Sequence, residues 1–299
     1  MKITNRLIVF LLVVLFAFAE TTLVFAQGPS AAEYGVVLNL SGKQRMLSQK
    51  MSKEVMLINL NYKKDINLEN LKKTASLFDK TLKGLRNGDE SLGLPPTTSR
   101  RILRQIDDKI TPLWESFYGN IQSIVEAASV SSEQLAAVAQ NNLPLLKEMN
   151  KCVKLYEKDA SKAGMKSDPG LAVTINLAGK QRMLTQKMSK EFLLIASAYS
   201  TEENRLNLQE TSGLFARTLK GLLDGDTTLD LPGTKEESIR TQLQKVESLW
   251  KGFKPSVEFA ITEQGTIPED KIGSLAEQNL PLLKEMNKAV GMYEAQASK

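Results

Sequence analysis

The strongest constraint on how this chain folds is that it is written twice. At an offset of 137 residues the two halves align almost end to end. "NLSGKQRMLSQKMSKE" at 39–54 returns as "NLAGKQRMLTQKMSKE" at 176–191, and "FDKTLKGLRNGD" at 78–89 returns as "FARTLKGLLDGD" at 215–226. "NLPLLKEMNK" at 142–151 recurs unchanged at 279–288. Trp114 and Trp250 correspond with a slip of one residue, and Tyr156 corresponds to Tyr293. Each copy is long enough to bury a core of its own, so the chain reads as a tandem duplication with its seam near "SKAGMKSDPG" at 161–170.

Within a copy the signals are helical. The chain is rich in Leu, Lys, Glu and Ala, only 6% aromatic, and lacks long alternating β-branched runs. A first helix is expected from Ala31 to Tyr62, and a second from after Asn67 to Gly88, where "RNGD" is a glycine stop. "LGLPPTTS" then leads into a third helix from Ser99 to Ala128, with a kink at Pro112. "SSEQ" at 131–134 offers a capping box for a fourth, which carries Pro144 and ends near Ser161, and Thr234 with Glu237 offers the same cap in the second copy. The expectation is an all-α protein of two tandem up-down-up-down four-helix bundles, at 27–163 and 168–299. In that topology the fourth helix ends where the first began. A short linker can therefore set the two first helices side by side and parallel, like a parallel homodimer folded into one chain.

The first 26 residues read as a signal peptide: Lys2 and Arg6, then an apolar run from Leu7 to Ala19, then Val24-Phe25-Ala26 before Gln27. A periplasmic product follows, with an uncleaved membrane anchor as the alternative. Net charge is +5, and removing residues 1–26 takes away Lys2, Arg6 and Glu20 and leaves +4. The lysines are scattered among glutamates without aromatic interleaving, which argues against nucleic acid and leaves a mild bias towards anions. There is no His, and the single Cys152 has Ala289 at its matching position in the other copy, so no intrachain disulfide is possible. With the commonest metal ligand and general base missing, no catalytic residue, metal site or cofactor is assigned, and an enzyme is not expected. Asp107 and Asp108 read as a solvated helix face, and Met46, Met51 and Met56 as core filler rather than a metal-binding set.

On a helical wheel the first motif separates into two stripes. Leu40, Leu47, Met51, Val55 and Ile58 form a core stripe, matched by Leu177, Leu184, Met188 and Ile195. Ser41, Arg45, Ser48 and Ser52 form a second, at the spacing of a coiled-coil seam, matched by Ala178, Arg182, Thr185 and Ser189. Small residues let two helices approach closely, and an arginine in such a seam is exceptional. No Asp or Glu shares that stripe. If the stripes face each other, Arg45 and Arg182 repel unless an anion bridges them, and a guanidinium fork suits a small oxyanion. The plainer alternative puts each Arg on a solvated face. Lys43, Lys50 and Lys53 lie on a flank that reads as solvated charge, with Lys43 and Lys180 as supporting contacts to a ligand. Gly42 and Gly179 are costly in a helix unless close packing or a ligand needs them. Asn39 and Asn176 either cap the helix or hydrogen-bond across the seam.

These motifs in this order, with a Trp in the third helix and "LLKEMNKCVKLYE" at the end, resemble the PilJ-type sensor domain, also described as the NarX-like N-terminal domain. Such domains occur in type IV pilus chemoreceptors and in bacterial nitrate/nitrite sensors, and the resemblance covers both copies. It implies an extracytoplasmic four-helix bundle that works as a parallel dimer, in which an Arg from each first helix holds one nitrate. Matching that motif onto this chain implies anion binding by Arg45 and Arg182, with Gly42, Gly179, Asn39 and Asn176 beside them. The expectation is a sensory protein that binds nitrate or nitrite, either between its own two copies or between like repeats of a homodimer, and relays to a membrane chemoreceptor or sensor kinase. The alternative is a ligand-free interaction module docking on a chemoreceptor, kinase or pilus component.

Overall fold

A computed structural model describes residues 29–163 and 170–297. The expected signal segment at 1–26 lies outside the described residues. The first copy contains α1 (Ala31–Asn59), α2 (Lys64–Asn87), α3 (Arg100–Arg104), a π turn (Gln105–Ile110), α4 (Thr111–Ala127) and α5 (Ser132–Ala163). The second contains α6 (Leu171–Ala196), α7 (Thr201–Asp224), α8 (Glu237–Thr262) and α9 (Glu269–Gln296). Neighbours alternate in direction: Asp79 and Arg86 on α2 meet Trp114 and Asp107, while Ser48 and Arg45 on α1 meet Asn142 and Asn150 on α5. The chain is all-α, in two tandem helical bundles.

Local chemistry sets the helix ends, not always as expected. Ser30 and Glu33 build a reciprocal capping box that starts α1. The Ser131–Gln134 box starts α5 as foreseen, with Gln134 N–H on Ser131 Oγ and Ser131 N–H on Gln134 Oε1. Thr234 does not cap α8. Its hydroxyl is buried against Leu222 O, at 2.8 Å, and against the Tyr293 hydroxyl. Nor does α2 begin after Asn67: Lys63 turns left-handed at φ 43°, and Asn67 reaches back to Tyr62 O and Lys63 O from inside the first turn.

The one-residue slip between the tryptophans has a structural cause. Gln105 and Gln242 are still equivalent at 137, each donating to the same carbonyl one copy apart, Glu148 O and Glu285 O. Beyond them, Ile110 matches Val246. The first copy has one residue more between these points, and the π turn absorbs it inside an otherwise continuous helix. Helical phase is thereby restored. Trp114 packs tilted against Phe78 at 4.2 Å between ring centroids, as Trp250 does against Phe215 at 4.7 Å. The kink expected at Pro112 is therefore this turn, with Pro112 in the first turn of the helix that follows.

The bundles are joined through their first helices. α1 packs along α6 as closely as against any helix of its own copy, with additional α1–α9 and α5–α6 contact. The pair is parallel and in register. Gly42 lies against Gly179 in the first half of each helix, and Asn59 donates to Ser197 at their C-terminal ends. The two expected stripes are too few to describe α1, because α2, α5, α6 and α9 surround it and Ser41 to Ile58 is buried almost all round. Leu40 and Leu177, placed on the core stripe, are only half-buried. Lys53, read as a solvated charge, is buried.

Candidate functional site

The small residues of the seam satisfy their own polar groups. Ser41, Ser48 and Ser52 donate to carbonyls three or four residues back, as do Thr185 and Ser189, so their hydroxyls ask nothing of the facing helix. That lets α1 and α6 close to backbone contact at Gly42 and Gly179. A Cβ built on Gly42 would sit 3.2 Å from Arg45 Nη2 and 3.6 Å from Arg182 Nη2, and one on Gly179 would sit 3.4 Å from Arg182 Nη2 and 3.6 Å from Arg45 Nη2. The glycine pair is the floor on which both guanidiniums lie.

Both arginines are enclosed, at 3% and 1% exposure, which removes the solvated-face alternative. Each reaches across the seam. Arg45 Nη2 donates to Asn176 O at 3.1 Å, and Arg182 Nη2 donates to Asn39 O at 2.9 Å. Each is also held by the fourth helix of its own copy, Arg45 Nη1 by Asn150 Oδ1 at 3.1 Å and Arg182 Nη1 by Asn287 Oδ1 at 2.8 Å. Arg182 Nη1 has a further acceptor in Asn39 Oδ1, at 2.7 Å. Asn39 and Asn176 thus bond across the seam rather than cap, and their amide nitrogens donate outward to Glu294 and Glu157.

Among the described residues no carboxylate forms an ion pair with either guanidinium, although Glu157 and Glu294 stand one residue behind. Burial pushes Arg45 down to about 10, opposed by the charge of Glu157. Burial pushes Arg182 down to about 9, and the charge of Arg45 pushes the same way. Nε of both arginines and Oδ1 of Asn176 are buried without a hydrogen-bond partner. Lys43 and Lys180 are half-buried at the edge of this layer, each depressed first by burial and next by the opposite copy's arginine. The eight expected site residues therefore share one layer of the molecule.

Sequence reasoning on the first helix did not reach Asn150, Asn287, Glu157 and Glu294. All four repeat at the 137-residue offset, and the two asparagines lie within the unchanged "NLPLLKEMNK", so the repeat itself carried the signal. One layer along, Lys53 donates to Asn279 Oδ1 at 3.0 Å, and Lys190 donates to Asn142 Oδ1 at 3.3 Å, each again crossing to the other copy. Buried cations paired with neutral amides recur along the seam.

A protein-family comparison decides what such a seam belongs to. The family described as type IV pili methyl-accepting chemotaxis transducer N-term, PilJ, matches residues 30–143 and 165–272. The chain belongs to the PilJ family. It carries the domain twice, and PilJ is a sensory domain of chemotaxis transducers rather than a catalytic family. No curated protein matches the chain. The matched segments stop within α5 and α9, so Asn150, Glu157, Asn287 and Glu294 lie outside them. Among the described residues no group of His, Cys, Asp or Glu is arranged to hold a metal, and no helix is long and apolar enough to cross a membrane. Asp107 pairs with Arg86 at 2.7 Å, and Met46, Met51 and Met56 sit in the core.

Proposed function

We propose that this tandem PilJ protein is a periplasmic sensor for a small oxyanion, nitrate or nitrite first, bound between Arg45 and Arg182 and read by a membrane chemoreceptor or sensor kinase. The observation that supports it is the pair of enclosed guanidiniums over the Gly42–Gly179 floor, with unpartnered Nε donors and, among the described residues, no carboxylate bonded to either. Two buried like charges are costly, and a monovalent anion between them offsets repulsion and supplies acceptors at once. Lys43 and Lys180 extend the positive field to the edge of the layer. Asn39, Asn176, Gly42 and Gly179 shape the space. An anion bound there favours one register of α1 against α6, which is the change a partner reads.

The second reading, a ligand-free interaction module, has its own support. Both arginines already donate to Asn150, Asn287 and the facing backbone, so they serve as clamps between the copies without any ligand. Calorimetric titration of the full chain with sodium nitrate and nitrite separates the two. Under the first reading heat is released, Tm rises with millimolar anion, and Arg45→Ala with Arg182→Ala abolishes both effects. Under the second, wild-type Tm is indifferent to anions and the double variant loses partner capture instead.

A further inference from the structure

Away from the arginine layer the seam opens into two cavities that repeat at the same offset. The first, of about 240 Å³, lies where α1 and α2 meet α9 and is lined by Lys53, Glu54, Leu57, Ile66, Ala276 and Leu280 among others. The second, of about 270 Å³, lies where α6 and α7 meet α5, and its lining includes Lys190, Glu191, Leu194, Ala139 and Leu143, the counterparts of five of those six. Both copies have kept the inner groups, while at the rim Lys63, Ile66 and Glu277 of the first cavity are replaced by Ser200, Glu203 and Gln140 in the second.

The inner wall of each cavity is charged and incompletely satisfied. Lys53 and Lys190 are buried, and each ammonium has one amide acceptor for its three donor hydrogens. Glu54 and Glu191 are each 1% exposed, and one oxygen of each is taken by the lysine one turn earlier, Lys50 or Lys187. The other oxygen, Oε2, is buried with no hydrogen-bond partner in either copy. A buried carboxylate oxygen left unpaired is expensive, and seeing it twice is unusual. The outer rim carries exposed aliphatic side chains among polar ones: Ile66 is 58% and Leu280 53% exposed beside the Lys63–Glu277 pair in the first cavity, and Leu143 is 43% exposed beside Glu203 in the second, large values for such side chains. The volumes fall below those of drug-sized pockets and suit a small metabolite.

A spare ammonium donor, a spare carboxylate acceptor beside it and an aliphatic wall match a small zwitterion. We propose that each cavity binds one free aliphatic α-amino acid, its carboxylate on Lys53 or Lys190, its ammonium on Oε2 of Glu54 or Glu191, and its side chain on the outer wall. Here Leu57, Ile66 and Leu280 serve one copy, and Leu143 and Leu194 the other. This site is separate from the arginine pair, so its failure leaves the oxyanion reading untouched.

The test is thermal unfolding and calorimetry of the full chain with millimolar valine, isoleucine or leucine, set beside leucine's decarboxylated amine (3-methylbutylamine) and its deaminated acid (4-methylpentanoate). At least one amino acid should raise Tm by roughly 5 °C at saturation, and the amine and acid should not. Asn70→Trp with Asn207→Trp, at equivalent half-buried rim positions, should fill both mouths and abolish the shift. No response to any of the three, equal responses to the one-charge analogues, or a full response in the rim variant would each overturn the proposal. The analogue comparison needs no variant, so it holds even if the tryptophans disturb folding.

Discussion

Glycine and lysine carry the sharpest expectations at the residue scale. Gly42 and Gly119 are both helical, yet a Cβ on Gly42 lands against Arg45 Nη2, whereas one on Gly119 meets nothing within 4 Å. Gly119→Ala should therefore stabilise by about 0.5–1 kcal/mol, the ordinary helix gain. Gly42→Ala with Gly179→Ala should lose that gain by pressing on guanidiniums already held by hydrogen bonds to Asn150, Asn287 and the facing backbone, and urea unfolding of the two variants reads the difference. Lys53 and Lys190 set a pH dependence. Burial lowers both from 10.5 to about 8, with Asn142, Asn279, Glu54, Glu191, Lys50 and Lys187 around them. Between about pH 8 and 10 the unfolded chain holds protons that the folded chain has released, so this pair makes stability rise with pH across that window. Tm measured against pH should climb more steeply in the wild type than in Lys53→Met with Lys190→Met. The buried Cys152 thiol, pushed up to about 12, acts in the opposite sense in both proteins and cancels in the comparison.

At the scale of elements, the π turn explains how one copy of a repeat tolerates an extra residue that the other lacks. In an α-helix an insertion rotates everything beyond it by about 100°, which would carry Trp114 and Phe117 out of the core, and a single widened turn takes up that rotation locally. Deletion of the exposed Asp108 should therefore be nearly neutral, within about 1 kcal/mol, because it restores the register that α8 already uses. Deletion of the exposed Gln244 in α8 should cost roughly 3 kcal/mol or more, since Trp250 and Phe253 would leave their places with no turn to absorb the change. Circular dichroism with chemical denaturation distinguishes the two. The slip was visible in the sequence, but whether a loop, a kink at Pro112 or a π turn held the extra residue depended on packing against α2 and α5.

For the whole molecule, duplication has turned a face that suits a dimer into an internal seam. Residues 29–163 alone would expose Ser41, Arg45, Ser48 and Ser52 together with Gly42, and 170–297 alone would expose the matching set. Because the two sets are nearly the same, each half should self-associate through its first helix, sedimenting as a dimer, and Arg45→Glu in the first half should return it to monomer. By itself, the sequence determined the duplication, the all-α bundles and the odd arginine in a seam of small residues, and it allowed but did not choose parallel pairing of the two first helices, because periodicity and repetition are properties of the chain. Only the tertiary structure decided what faces that arginine. Asn150 and Glu157 come from a helix about a hundred residues away, Asn176 from the other copy, and Lys53 is buried rather than solvated because α9 closes over it. Burial is set by neighbours distant in sequence, and a helical wheel drawn from one segment contains none of them.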